Sequence, residues 1–330
     1  MKYIFLSIVA LLIFSTCTTD FVLEGEWEEV PIVYGFINAE DTAHYIRLEK
    51  AFLEPGGNAR DLAQIPDSIY FGEDVQVYLT NISNGQTYLM ERVDGNLEGY
   101  PRQEGTFAQT PNYLYKVLDA DMNLEGGETV ALSVKRGEEE LTSAEATVLT
   151  KVSPTETQPS NPLRLKRYTN IISVSWRMGQ EAKVFDVKLR VNYKESRNGG
   201  PFEEKSILFP VSSRVENDQN KISEKTSFRS GDFYQFLGGT LEKSPSIART
   251  DLTVDVIVRG GGKEFLDFLD VYDANLGITS ANQIPVYTNL TKGLGIFSSR
   301  SDGERTGLTL DLESLDSLAH GIYTRELNFQ

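Results

Sequence analysis

Apolar and polar residues alternate with a period of two in short runs along much of the chain, and turn-forming residues separate the runs. Ile172, Val174 and Trp176 share one side of Ile171–Arg177, the stretch Phe185–Tyr193 alternates in the same way, and Leu252, Val254, Val256 and Val258 repeat the pattern later. Successive strand side chains point to opposite faces, so these runs predict half-buried β-strands. In the first half the same period predicts strands at Ile32–Ile37, His44–Leu53, Asp74–Thr80, Thr87–Val93, Tyr113–Val117, Glu128–Lys135 and Glu140–Leu149. Asn38–Asp41, Asn84-Gly85, Asp94-Gly95, Gly126-Gly127 and Arg136-Gly137 supply turns between them. Turn signals at this spacing predict a mainly β protein built as immunoglobulin-like sandwiches.

The period changes in a few places. Phe265, Phe268, Leu269 and Tyr272 recur at helical spacing after Gly260-Gly261-Gly262, and Phe233–Leu237 predicts a second short helix. Glu54–Asp67 reads as a loop with one helical turn stopped by Pro66, and Ser153–Pro162 as a linker, because its three prolines remove backbone donors. A chain of 330 residues exceeds the roughly 250–300 at which single cores stop growing. The expected organisation is a signal segment at 1–16, a tether at 17–30, a β-sandwich domain at 31–152, the linker at 153–162, and a β-rich domain with one or two short helices at 163–330.

The first residues carry an address. Lys2 precedes a largely apolar stretch, Tyr3–Phe14, that is too short to span a bilayer as a helix and predicts a secretory signal peptide. The only cysteine, Cys17, follows it directly, in Phe14-Ser15-Thr16-Cys17, which resembles the lipobox of bacterial lipoproteins. Cleavage before Cys17 and lipidation of its thiol would hold the chain to a membrane, since each buried methylene contributes about 0.8 kcal/mol. A single cysteine also excludes an intrachain disulfide, so stability must come from burial and sheet pairing.

A formal net charge of -16 argues against nucleic acid as a partner, because a phosphate backbone would repel the chain. Histidine chemistry is thinly supplied: His44 lies in a predicted strand and His320 in a polar segment. No Gly-x-Ser-x-Gly elbow, phosphate-binding Gly-x-x-x-x-Gly-Lys loop or His-Glu-x-x-His helix occurs. No catalytic residue, cofactor or metal is therefore assigned. The alternative of a carboxylate-dependent, glycan-acting enzyme stays open, because two acids suffice and their spacing across strands is not visible in sequence.

Asp267, Asp270 and Asp273 fall near one helical face and read as a solvated surface. Asp119-Ala120-Asp121-Met122-Asn123 opens like a calcium loop, but Leu124 and Val130 stand where glycine and a bidentate glutamate are needed. Trp27, Trp176, Tyr70, Tyr88, Tyr113 and Tyr115 are the aromatic candidates for a sugar or peptide platform, and most read as core.

The segments Tyr45–Leu53, Pro66–Tyr70 and Tyr287–Ser299 resemble a family of Bacteroidota lipoproteins, domain of unknown function 4249, in a layout that spans nearly the whole mature chain. Thr18-Thr19-Asp20-Phe21 is similar to the short acidic tag that sends such lipoproteins to the outer face of the outer membrane. The resemblance implies no catalytic residues. It implies instead an accessory binding or scaffolding subunit beside a TonB-dependent outer-membrane receptor, with a purely structural envelope component as the plainer alternative. Asp41-Thr42-Ala43, Asp67-Ser68-Ile69 and Asp316-Ser317-Leu318 resemble the acceptor triplet for O-glycosylation in the same bacterial group, which makes Thr42, Ser68 and Ser317 candidate modification sites. Gly293–Phe297 reads as a close-packed strand edge, where glycine lets backbones approach.

Overall fold

The structure is a computed structural model that describes residues 29–51, 58–276 and 286–330. Its strands are β1 (Val30–Ile37), β2 (Ala43–Ala51), β3 (Val75–Asn81), β4 (Gln86–Leu89), β5 (Glu91–Asp94), β6 (Tyr113–Leu118), β7 (Thr129–Arg136) and β8 (Glu139–Thr147) in the first half. The second half adds β9 (Ser153–Pro154), β10 (Ile171–Arg177), β11 (Val184–Arg197), β12 (Glu203–Glu216), β13 (Ser223–Arg229), β14 (Ile247–Gly261) and β15 (Leu294–Leu308). Short helical turns α1 (Ala59–Leu62), α2 (Pro66–Ile69) and α3 (Asp119–Met122) precede the longer α4 (Ser230–Thr240), α5 (Lys263–Leu276) and α6 (Leu312–His320).

The chain is mainly β, and its strands stack as sandwich layers around two hydrophobic cores. Alternation decides which face is inside. Val33 and Ile37 of β1 and Ile46 and Leu48 of β2 meet Val75, Val77 and Leu79 of β3 and Val130, Leu132 and Val134 of β7 in the first core. Val187, Leu189 and Val191 of β11 and Val254, Val256 and Val258 of β14 meet Val174 and Trp176 of β10, with Phe233, Tyr234 and Leu237 of α4 closing the second. Each such side chain contributes about 1.5–3 kcal/mol on full burial.

One eight-stranded sheet, in the order β12-β11-β14-β15-β1-β2-β6-β5, serves both cores. The sheet β4-β3-β7-β8 faces it over the first core and β13-β10-β9 over the second. The join is β15. Its first residues pair in parallel with β1, from Ile32 opposite Leu294 to Ile37 opposite Ser299, and its later ones pair antiparallel with β14. Leu290 and Phe297 thereby lie in the first core, although they follow the proline-bearing segment by well over a hundred residues.

Glycine makes the parallel contact possible. Gly295 has φ +113°, and a Cβ there would stand 1.9 Å from the Val33 carbonyl oxygen. The expected close approach is present, but β15 lies in the sheet interior rather than at an edge.

Several expectations change in detail. The run Thr87–Val93 is two strands, because the chain crosses at buried Met90 from one layer to the other. Pro66 starts a new helical turn instead of only ending the previous one, as its missing N–H allows at a first helical position. Ser153-Pro154 pairs with Trp176 and Arg177, and Arg305 donates to the Thr155 and Pro159 carbonyls, so the expected linker is strapped to the second sandwich. Helices α4, α5 and α6 exceed the one or two expected in the second half. Strand β12 was hidden from the periodicity because it is an edge with mostly exposed side chains. Pro210 and its charged residues protect that edge from pairing with another chain.

Candidate functional site

The feature best suited to hold a ligand lies where α5 crosses the outer face of the large sheet. Strand β14 ends in Gly260-Gly261, and after Gly262 α5 starts at once, with Leu266 N–H donating to the Gly262 carbonyl. A Cβ at Gly261 would stand 2.6 Å from Phe265 Cδ1, so glycine there admits the helix against the sheet. Phe265 meets Phe36 of β1 edge-on at 5.5 Å between ring centres and stacks on Phe268, which in turn meets Tyr287. Burial pushes the Tyr287 phenol up to about 12.

Under the helix is an open cleft of about 470 Å³, within the roughly 300–1,000 Å³ range of small-molecule sites. Its walls are mostly apolar: Phe36, Val184, Phe265 and Leu269, with Gly261 leaving the floor bare beneath the helix. Charged groups stand at the rim. Lys188 Nζ lies 2.7 Å from Asp186, Arg259 Nε 3.3 Å from Asp302, and Arg300 pairs with both Asp302 and, at 2.7 Å, Asp41.

Ion pairs add to the partial burial that holds the helix. Residues 263–274 of α5 are all half-buried or exposed, and Phe265, Phe268 and Leu269 belong to neither core. Arg214 of β12 reaches up to Asp270 and, at 2.5 Å, to Asp273, and Asp270 with Glu216 holds its guanidinium well above its usual range. At the other end Glu264 accepts from Ser298 Oγ at 2.9 Å and Asp267 pairs with Lys263. Of the three aspartates expected as a wet face, Asp270 and Asp273, although exposed, thus tie the helix to β12, and their partner Arg214 lies over fifty residues away in sequence. The signal for the cleft in the sequence was the glycine triplet between an alternating strand and an amphipathic helix.

The other candidates are dispersed. Cys17, the Thr18–Phe21 tag and Trp27 lie outside the described residues. Thr42 is exposed in the β1–β2 turn, whereas Ser68 is half-buried in α2 and the Ser317 hydroxyl is engaged with the Glu313 carbonyl on α6. His44 is buried in the first sandwich with Nε2 2.9 Å from Asp119, and exposed His320 pairs with Asp316 on α6, so they share no site. Asp119 also accepts from Leu124 N–H, which commits it to closing α3. Among the described residues no group of three or more His, Cys, Asp or Glu side chains could hold a metal ion.

Trp176, Tyr70 and Tyr115 are buried, and the Arg92 guanidinium covers Tyr113 at 3.6 Å. Tyr88 is half-buried against the first core, so these aromatics form no exposed platform. A fully buried pair that alternation could not reveal is Arg249 with Glu195, at 2.8 Å. In comparisons with known proteins, neither any protein-family model nor any curated protein matches the chain.

Proposed function

We propose that the protein is a lipid-anchored extracytoplasmic binding module, attached through Cys17 to the outer membrane and displayed at the cell surface. In this reading it is a non-enzymatic accessory subunit of a TonB-dependent receptor or of an envelope complex, as its resemblance to the Bacteroidota lipoprotein family implies. The observation that carries the binding role is the cleft under α5, whose volume and apolar walls suit a small ligand. The acidic chain and the Thr18–Phe21 tag agree with an exported surface protein that does not engage nucleic acid.

The test is affinity purification of the lipidated protein from outer membranes in mild detergent, with co-purifying proteins identified by mass spectrometry. A TonB-dependent barrel recovered in stoichiometric amount supports the accessory role. Recovery of the protein alone overturns that role and leaves a free-standing binder.

A further inference from the structure

We infer that the cleft under α5 takes an uncharged, ring-bearing apolar small molecule, an inference that rests on reading the cleft as a ligand site. The first argument is charge. All five charged side chains lining the cleft already stand in ion pairs, and Asp41 supplies the third acid that balances Lys188, Arg259 and Arg300. A ligand carrying a net charge would find no surplus counter-charge there and would lose hydration on entering. A neutral ligand pays no such penalty.

The second argument is shape. A helix that merely capped the sheet would bury its apolar stripe in a core, yet Phe265 and Leu269 face an open space instead. The helix is tied down near its start by Ser298 Oγ, which donates to Glu264, and further on by Arg214 with Asp270 and Asp273, and the sheet below it has no side chain at Gly261. The resulting gap is apolar on both sides, which attracts apolar matter rather than ordered water. The phenyl rings of Phe36 and Phe265 on its walls favour edge-on or offset contact with a ligand ring.

The experiment compares two fluorescent probes that differ by one sulfonate: neutral N-phenylnaphthylamine and anionic anilinonaphthalene sulfonate. It uses the chain from Thr18, without the lipid, because both cores are composed of residues beyond position 29. Two variants block the cleft at positions that are not buried, Leu269→Trp from the helix and Ser213→Trp from the rim. The expected result is saturable binding of the neutral probe, weakened at least tenfold by either variant, and at least tenfold weaker binding of the anionic probe.

Equal affinity for both probes, lost equally in the variants, overturns the uncharged ligand class while leaving the cleft a binding site. Binding of neither probe, or binding that both variants leave unchanged, overturns the cleft reading itself.

Discussion

The Arg249–Glu195 pair is where one side chain holds most together. Arg249 on β14 is 1% exposed, and its guanidinium donates to Glu195 on β11, to the Leu327 carbonyl at 2.8 Å and to the Glu242 carbonyl at 3.0 Å. Its backbone N–H and carbonyl pair with Asn328 and Gln330, so the last residues of the chain are fastened to the second sandwich here. Arg249→Met keeps the bulk of the side chain and removes every one of its donors. Glu195 is then left buried with only Arg197, which is 54% exposed, as a partner.

Truncating one partner of a buried pair costs about 3–5 kcal/mol, so the expected loss is about 4 kcal/mol. With a urea slope of about 3 kcal/mol per molar, the transition of the second sandwich moves down by about 1.3 M. Trp176, buried in that core, reports it by fluorescence. The double variant Arg249→Met with Glu195→Leu should recover most of the loss, because no buried charge is left unpaired. Arg197→Met, at the exposed end of the same network, should lose less than about 1 kcal/mol. A shift below about 0.3 M for Arg249→Met, or a double variant no better than the single, would refute the reasoning.

Gly295→Ala should lose more than about 3 kcal/mol, since its Cβ would collide with the Val33 carbonyl, whereas Gly199→Ala, at φ +71° with nothing within 4 Å, should lose about 1–2 kcal/mol of strain alone. Matched denaturation curves check the contrast. Asp270→Asn with Asp273→Asn should speed amide exchange in α5 while changing global stability by less than about 1 kcal/mol, because these pairs are exposed. Burial pushes the Tyr234 phenol above its ordinary value, with its hydroxyl donating to the Ser314 carbonyl. The unfolded chain then ionises first as pH rises through about 10, so stability should fall from there upward, and Tyr234→Phe should flatten the slope in melts at stepped pH. An intact-mass measurement on the exported protein should show added glycan that Thr42→Ala removes; a mass equal to the bare lipidated chain would exclude modification.

Much of the strand content is legible in the amino-acid sequence itself. Ile172, Val174 and Trp176, or Val254, Val256 and Val258, announce a strand and its buried face because a period of two is a local property of extended backbone. The turns at Asn84-Gly85 and Arg136-Gly137 are equally local, since Gly85 and Gly137 supply the positive φ that their neighbours would resist. The helical stripe of α5 is visible for the same reason, with a different period. Strand β12 is not, because an edge strand exposed along most of its length has little need of an apolar face.

What tertiary structure alone decided is which strands became neighbours. Backbone hydrogen bonds are the same for every strand, so nothing local says that β15 lies between β14 and β1, or that Ile37 meets Ser299 across more than two hundred residues. The cleft shares that origin. Its walls come from β1, β11, β12, β14, β15 and α5, and the rim pairs Arg259–Asp302 and Arg300–Asp41 join separate segments, so the space exists only once these distant segments are brought together.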